Sequence, residues 1–345
     1  MIFSKQKKEE VIIRKVQGTK EELVRRRKKE PPKPWGKKER FLVLFILLFT
    51  ILTSIILALS AREWKLPGLP RIKFPTISLF QEETIVLEND KKNESKEIAE
   101  KSQKVVTDFK NTTNDLSGVY GLFVIDLKSG YSFGISEDES FTAASLIKLP
   151  VMTTAYLESE KGSLNLETIY TLKDSDKIGG SGSLYYKPAG TKLSYKDLLM
   201  LMGKQSDNTA FGIIRKVVGD KKINEVIKTI GMSSTSLTDN STSPYDIGIF
   251  FKKLWEGKIT SKDSANEILG NLTDTTYENW IAAGIPADIR VAHKYGREVH
   301  VVNDAGIVYA DNPFILVILT KGVIESEADS IFPSLAGIVY DGLEE

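Results

Sequence analysis

Residues 41–61 read Phe-Leu-Val-Leu-Phe-Ile-Leu-Leu-Phe-Thr-Ile-Leu-Thr-Ser-Ile-Ile-Leu-Ala-Leu-Ser-Ala, without one charged side chain. A helix rises about 1.5 Å per residue, so a run this long reaches across the about 30 Å hydrocarbon core of a bilayer. The run predicts a membrane-spanning helix and divides the chain into a short arm and a long body. The arm, residues 1–40, holds fifteen Lys/Arg against six Asp/Glu, a local +9 that includes Arg25-Arg26-Arg27-Lys28-Lys29. The rest of the chain sums to −8, although the whole is +1. A basic flank before an apolar run places the N-terminus in the cytoplasm, drawn to anionic lipid, and the body outside. Ala58-Leu59-Ser60 would suit a signal peptidase, but the arm and the run are long for a cleaved signal, and we read an uncleaved anchor. Residues 62–93, with Pro67, Pro70 and Pro75 and then a polar run, read as a stalk.

The body, residues 94–345, opens with a polar helix over Ser95–Lys110 whose apolar positions are Ile98, Val105, Val106 and Phe109. Val119–Asp126 reads as a buried strand, Lys128-Ser129-Gly130 as its turn and Tyr131–Ile135 as the return strand. A helix follows around Ser145 and Pro150, and then a mostly irregular stretch, 161–193, whose Gly179-Gly180-Ser181-Gly182-Ser183 reads as a flexible surface loop. Helices are expected from Ser194 through Met202 and over Asp207–Val217, Lys221–Ile230, Pro244–Trp255, Ser261–Leu269 and Thr275–Ala283. Strands return at Ile289–Tyr295, Glu298–Asn303 and Phe314–Thr320, before a last helix over Glu325–Tyr340. The expected fold is α+β: an antiparallel sheet built from both ends of the body, with a helical subdomain inserted between them.

Composition removes several classes of function. There is no cysteine, hence no disulfide framework, thiolate metal site or cysteine nucleophile. The two histidines, His293 and His300, are too few for a multi-histidine zinc site, and no metal or cofactor is expected. Both read as strand residues, His293 facing outward. An acidic body argues against nucleic acid as a partner.

Three short motifs carry the chemistry. Ser145-Leu-Ile-Lys148 sets a hydroxyl and an amine three residues apart, on one helical face, where the amine can take the hydroxyl proton. Alone this pattern is common; Ser4 and Lys7 repeat it in the arm. Ser206-Asp207-Asn208 follows between two helices, and Lys294-Tyr295-Gly296 at a strand end. All three in order, each in that setting, make a strong signal.

With these motifs the body, roughly 94–345, resembles class A β-lactamases and, more broadly, the penicillin-binding active-site serine enzymes. Gln205-Ser-Asp-Asn-Thr-Ala210, Thr242-Ser-Pro-Tyr-Asp246 and Asn303-Asp-Ala-Gly-Ile-Val-Tyr309 extend the likeness. The resemblance implies that Ser145 is the acylated nucleophile and Lys148 its base, with Lys294 the neighbouring cation that lowers its pKa. It implies that Ser206 relays the proton to the leaving nitrogen between the two lysines, and that Asn208 orients the substrate amide. The backbone N–H groups of Ser145 and Arg297 form the oxyanion hole, Gly296 leaves room beside the strand, and Asp207 is structural. Tyr185 and Tyr186 read as loop aromatics that pack locally. The implied partners are a β-lactam or a D-Ala-D-Ala peptide, met by a monomeric domain held outside a bacterial cytoplasmic membrane.

Two departures from the family pattern stand out. The segment Gly231–Pro244, where class A enzymes carry an omega-loop glutamate that activates the deacylating water, is short and has no Glu. Asp239 is its only carboxylate before the following helix, and Glu225 lies on the preceding one. Tyr295 replaces the usual Thr or Ser that grips the substrate carboxylate, leaving Arg297 or Lys294 to compensate. Three functions compete: a β-lactam hydrolase with slow deacylation, a D-Ala-D-Ala carboxypeptidase, and a non-catalytic cell-wall-binding module.

Overall fold

In the computed structural model, residues 36–61 and 88–344 are described. The chain falls into two units, Met1–Glu82 and Glu83–Glu345. In the first, α1 runs over Lys37–Ala61. Its uncharged part is described in full from Phe41 to Ser54, about 21 Å of helix. Among the described residues no helix is long and apolar enough to cross a membrane. The expected tail up to residue 35 and stalk up to residue 87 lie outside the described residues.

The second unit opens with α2 (Glu88–Thr113), six residues ahead of the expected body. Strands β1 (Val119–Asp126) and β2 (Ser132–Ile135) form the expected hairpin. Strands β7 (Val291–Glu298), β8 (Val301–Val308) and β9 (Phe314–Lys321) complete an antiparallel sheet in the order β2-β1-β9-β8-β7. The chain's two ends meet in it where β1 pairs with β9, Leu122 opposite Ile318. Side chains alternate across a strand, so a central strand needs apolar residues on both faces. Leu122 and Val124 of β1 join a cluster with Phe109 of α2 and Phe332 of α9 (Glu325–Glu344). Phe123 and Ile125 join Ile247 and Phe251 of α7 (Pro244–Trp255) on the other face.

The inserted helices follow their caps. They are α3 (Lys148–Glu160), α4 (Tyr195–Lys204), α5 (Asn208–Val218), α6 (Asp220–Ile230), α7 and α8 (Lys262–Asn271). Ser194 and Asp197 form the capping box of α4, and Asp207 caps α5 by accepting from Ala210 N at 2.9 Å. Small pairs complete the unit: β3 (Phe141–Thr142) with β6 (Ser241–Thr242), and β4 (Ile169–Thr171) with β5 (Lys192–Ser194).

Four expectations are corrected. Thr275–Ala283 is not a helix: Glu278 folds back to accept from Thr275 N and Oγ1 at 2.5 and 2.6 Å, and one 3-10 turn follows at Ala282–Gly284. The side chain takes the donors that a helix would begin from. Strand β7 ends at Glu298 rather than Tyr295, and His300 sits in the two-residue turn to β8 with φ 59°, not in a strand. His293 is fully buried rather than outward, because Asp304 and Glu278 receive its ring nitrogens at 2.8 and 3.2 Å. The 178–184 stretch is pinned, not free: Ile178 N donates to Thr209 Oγ1, Ser183 N to Gln205 Oε1 and Leu184 N to Asp207 Oδ2, at 2.8–3.0 Å.

Candidate active site

Ser145 lies in a 3-10 turn, Ala144–Ile147, that runs into α3 at Lys148. Ala144, just before it, has φ 49°, a left-handed conformation that a residue bearing Cβ keeps only under outside constraint. The constraint is visible. Asn303 of β8, fully buried, donates to Thr142 O at 2.8 Å and accepts from Thr320 N at 2.8 Å. Ala143 N donates to Asn240 O at 2.7 Å. Sheet and omega segment thus hold the approach to the serine from two sides. Gly296 of β7 closes a third: a Cβ there would stand 2.8 Å from Ser145 N and 3.2 Å from Ala144 Cβ. Any side chain at 296 would displace the serine's backbone.

Three of the expected residues converge on Lys148, which is 2 % exposed. Its Nζ lies 3.1 Å from Ser145 Oγ, 3.1 Å from Ser206 Oγ and 2.7 Å from Asn208 Oδ1, and it also bonds Ser206 O. Carbonyl and amide oxygens only accept, so a neutral amine gives its two protons to Ser206 O and Asn208 Oδ1. Its lone pair is then left for a serine hydroxyl. Burial pushes the Lys148 amine down to about 7, against the opposing pull of the Asp207 carboxylate. At neutral pH about half of the amine is therefore in its basic, uncharged form. Among its hydrogen-bond partners there is no carboxylate.

Ser206 has φ 53°, a second left-handed non-glycine residue at the site. Asp207, buried, holds this turn by capping α5 with one oxygen and accepting Leu184 N with the other at 2.8 Å. Gly182 packs so close to that carboxylate that any Cβ would overlap it, and its φ of 88° favours glycine as well. Asn208 Nδ2 donates to Gly179 O at 2.8 Å, which fixes Oδ1 on Lys148. The glycine-rich stretch thus serves as a backbone clasp for Ser206-Asp207-Asn208. Its signal in the sequence was the glycine spacing itself.

Lys294 is fully buried, and its amine donates to Tyr295 O at 2.5 Å. Burial, and then the neighbouring Lys148, push this amine well below the usual lysine range, while Asp304 pulls the other way. The Tyr295 ring lies 4.1 Å from that amine, packs at 5.4 Å from Tyr277, and its hydroxyl meets Thr276 Oγ1 at 3.1 Å. Tyr295 therefore roofs Lys294. The Arg297 guanidinium grips both oxygens of Asp329, at 2.8 and 2.9 Å. Its backbone N–H is another matter. β7 is an edge strand, and Tyr309 N bonds Arg290 O, so odd-numbered amides of β7 point away from β8. His293 N, of that parity, donates outward to Leu272 O. Arg297 N shares the parity and faces the open edge beside Ser145.

Among the described residues, no carboxylate of the omega segment is hydrogen-bonded to Lys148. Asp239 accepts from Ser236 Oγ at 2.7 Å, and Glu225 lines a separate 440 Å³ cleft with Glu158, Lys161 and Lys222. Asn240 ties the segment to the end of β7 by donating to Glu298 at 2.7 Å. Tyr185 and Tyr186 pack edge to face at 5.1 Å, as local packing predicts, with Tyr186 82 % exposed. Asn303 was missed as a positioning residue. Its signal was the polar pair Asn303-Asp304 in the otherwise apolar run Val301–Val308.

Fold and cluster together define the class of penicillin-binding active-site serine hydrolases. The comparison with known proteins agrees: the Beta-lactamase enzyme family matches residues 100–343, and the chain belongs to that family. The beta-lactamase SME-1 of Serratia marcescens is 26% identical over 278 residues, which is 71% of this chain and 91% of its own. An imipenem-hydrolyzing beta-lactamase of Enterobacter cloacae is 25% identical over 279 residues, 72% of this chain and 92% of its own. The crystal structure of a beta-lactamase from Sphaerobacter thermophilus superposes with a TM-score of 0.64 at 25% identity, over 70% of this chain and 95% of its own. PBP-A shares the fold, with a TM-score of 0.64 at 24% identity over 71% and 96%.

Proposed function

We propose that this protein is an acyl-transfer enzyme that opens β-lactams through a Ser145 acyl-enzyme and releases the product slowly. The observation that carries the reading is the Lys148 amine, buried, depressed to about 7 and 3.1 Å from Ser145 Oγ. In its neutral form it takes the Ser145 proton as Oγ attacks the lactam carbonyl. Ser145 N and Arg297 N stabilise the oxyanion. Ser206 passes a proton from Lys148 to the lactam nitrogen as the C–N bond breaks, and Lys294 holds the substrate carboxylate. Asn208 orients the side-chain amide. Release requires an activated water, and neither Asp239 nor Glu225 is bonded to the cluster that would present one. That same absence favours a second reading, a D-Ala-D-Ala carboxypeptidase acting on peptidoglycan, which uses the same acylation residues. Among the solved relatives, an L158E mutant of PBP-A is described as an acyl-enzyme complex with penicillin-G. The uncharged run 41–61 and its basic flank support a membrane anchor with the catalytic body outside the cytoplasm.

A fluorescent penicillin tests the chemistry. Labelling that persists in the wild type and vanishes in Ser145→Ala supports the reading. Rapid turnover without persistent label points to an efficient β-lactamase, and neither label nor turnover in folded protein overturns both enzyme readings. Protease added to intact cells tests the topology: it should remove the body and spare the arm.

A further inference from the structure

The acylation chemistry leaves one charged group of the cleft unused. Side chains alternate along β7, so Lys294, Gly296 and Glu298 lie on one face of the strand. Gly296 marks that face as the one turned to Ser145, since a Cβ on it would stand 2.8 Å from Ser145 N. Glu298, exposed, is therefore on the serine's side of the sheet, about 13 Å along the strand from Lys294. A second contact fixes it there. Asn240 Nδ2 donates to Glu298 Oε1 at 2.7 Å, and Asn240 O accepts at 2.7 Å from the N–H of Ala143, two residues before Ser145.

This carboxylate has no counter-ion. Among the described residues, Glu298 Oε2 accepts no hydrogen bond and no cation pairs with either oxygen. Arg297, the preceding residue, alternates to the other face and is held by Asp329. Beside Glu298, Asn240 Oδ1 is shut off from solvent and accepts no hydrogen bond. The face thus has a cation at one end, Lys294, and at the other a carboxylate with an open oxygen.

The proposed reaction sets the direction in which a substrate crosses this face. Its carboxylate rests on Lys294 and its carbonyl oxygen lies between Ser145 N and Arg297 N. The leaving nitrogen belongs to the carboxylate-bearing part, on the Lys294 side. The acyl part therefore continues the other way, past Arg297 toward Glu298.

We propose that Glu298 is a specificity-determining residue that selects substrates with an ammonium group on the acyl side. Such a substrate is a β-lactam with an amino-substituted side chain or, in the peptidase reading, a peptide with a free amine ahead of D-Ala-D-Ala. An ammonium brings three N–H donors and the positive charge that Glu298 lacks, whereas a carboxylate in its place meets like charge. This rests on the acylation role proposed for Ser145, Lys294 and Arg297 N.

Acylation by ampicillin and by carbenicillin tests the selection, because these penicillins differ at one side-chain carbon, an amine in the first and a carboxylate in the second. Intact-mass time courses at about pH 6.5, where an α-amino group is charged, give the ratio of their second-order acylation rates. Glu298→Gln keeps an acceptor for Asn240 and removes the charge. It should lower the ampicillin-to-carbenicillin ratio about fivefold, the size expected of attraction and repulsion at one exposed carboxylate, and Glu298→Lys should lower it further. A purely structural role would slow both drugs equally; a ratio unmoved or raised in Glu298→Gln overturns the proposal. Should neither variant fold, the wild type decides. Raising salt from about 50 to about 500 mM screens Glu298 and should lower the wild-type ratio, whereas attraction of carbenicillin to Lys148 and Lys294 alone would make it rise, so a ratio that holds or rises overturns the proposal. A wild type that neither drug acylates overturns the acylation reading, and the selection with it.

Discussion

Asp207→Asn separates the electrostatics of the site from its architecture. The Lys148 amine sits about 3.5 pH units below an ordinary lysine, from 10.5 to about 7, because burial disfavours its charge. That is about 5 kcal/mol of differential stabilisation of the neutral amine. Asp207 is the charge that opposes this shift. An opposite charge a few ångströms away in a protein is worth about 1–3 pH units, so its removal should carry Lys148 from about 7 to about 6. At pH 6 roughly a tenth of the wild-type amine is neutral, against roughly half in the variant. Acylation should then be about fivefold faster in the variant at pH 6 and equal at pH 8. The substitution has a structural cost: asparagine can still cap Ala210 N but loses an acceptor for Leu184 N, about 1–3 kcal/mol. Rates from stopped-flow labelling between pH 5 and 9, on protein checked for folding by circular dichroism, give the acid limb. A limb that stays put or moves upward refutes both the assignment of Lys148 as base and the account of its pKa.

The same geometry makes three further predictions. Gly296→Val should leave the fold intact but lower acylation at least about 100-fold, read from labelling rates, because its Cβ would stand 2.8 Å from Ser145 N, a proposed oxyanion donor. Asn303→Ala strands the buried Thr320 N and Thr142 O, and chemical denaturation should show a loss of about 2–4 kcal/mol. Stability should also fall at alkaline pH. His293 is raised from 6.5 to about 9, so its contribution is complete below about 6.5 and is lost as pH rises through about 9, about 3 kcal/mol in all; urea midpoints at pH 6 and 9.5 measure it, and His293→Gln should flatten the difference.

Most of this architecture was legible because its causes are local. The near-continuous apolar run of Val119–Asp126, the Pro244 start of α7 and the Ser194–Asp197 box each name an element through its own residues. The site was legible through the order of three motifs, which the fold brings to one lysine. What escaped depends on groups far apart in the chain. Nothing near His293 in the sequence reveals that Asp304 and Glu278 will bury it. Thr275–Ala283 has helical spacing, but Glu278 spends its carboxylate on Thr275 and His293 instead. The clasp of Ser181, Gly182 and Gly179 on Ser206–Asn208 likewise exists only once two loops meet. Asn303 reads as one polar residue in a strand until Thr142 and Thr320 approach it from either side.

The central claim is that this site forms an acyl-enzyme readily and releases it slowly. Intact-mass spectrometry of the protein after mixing with benzylpenicillin measures both steps in one time course. The expected result is a single adduct carrying the whole antibiotic, complete at pH 8, absent in Ser145→Ala and persisting for minutes after free drug is removed. Folded protein that never gains the adduct and never consumes the drug would contradict the assignment of Ser145, and an adduct gone within a second would contradict slow release.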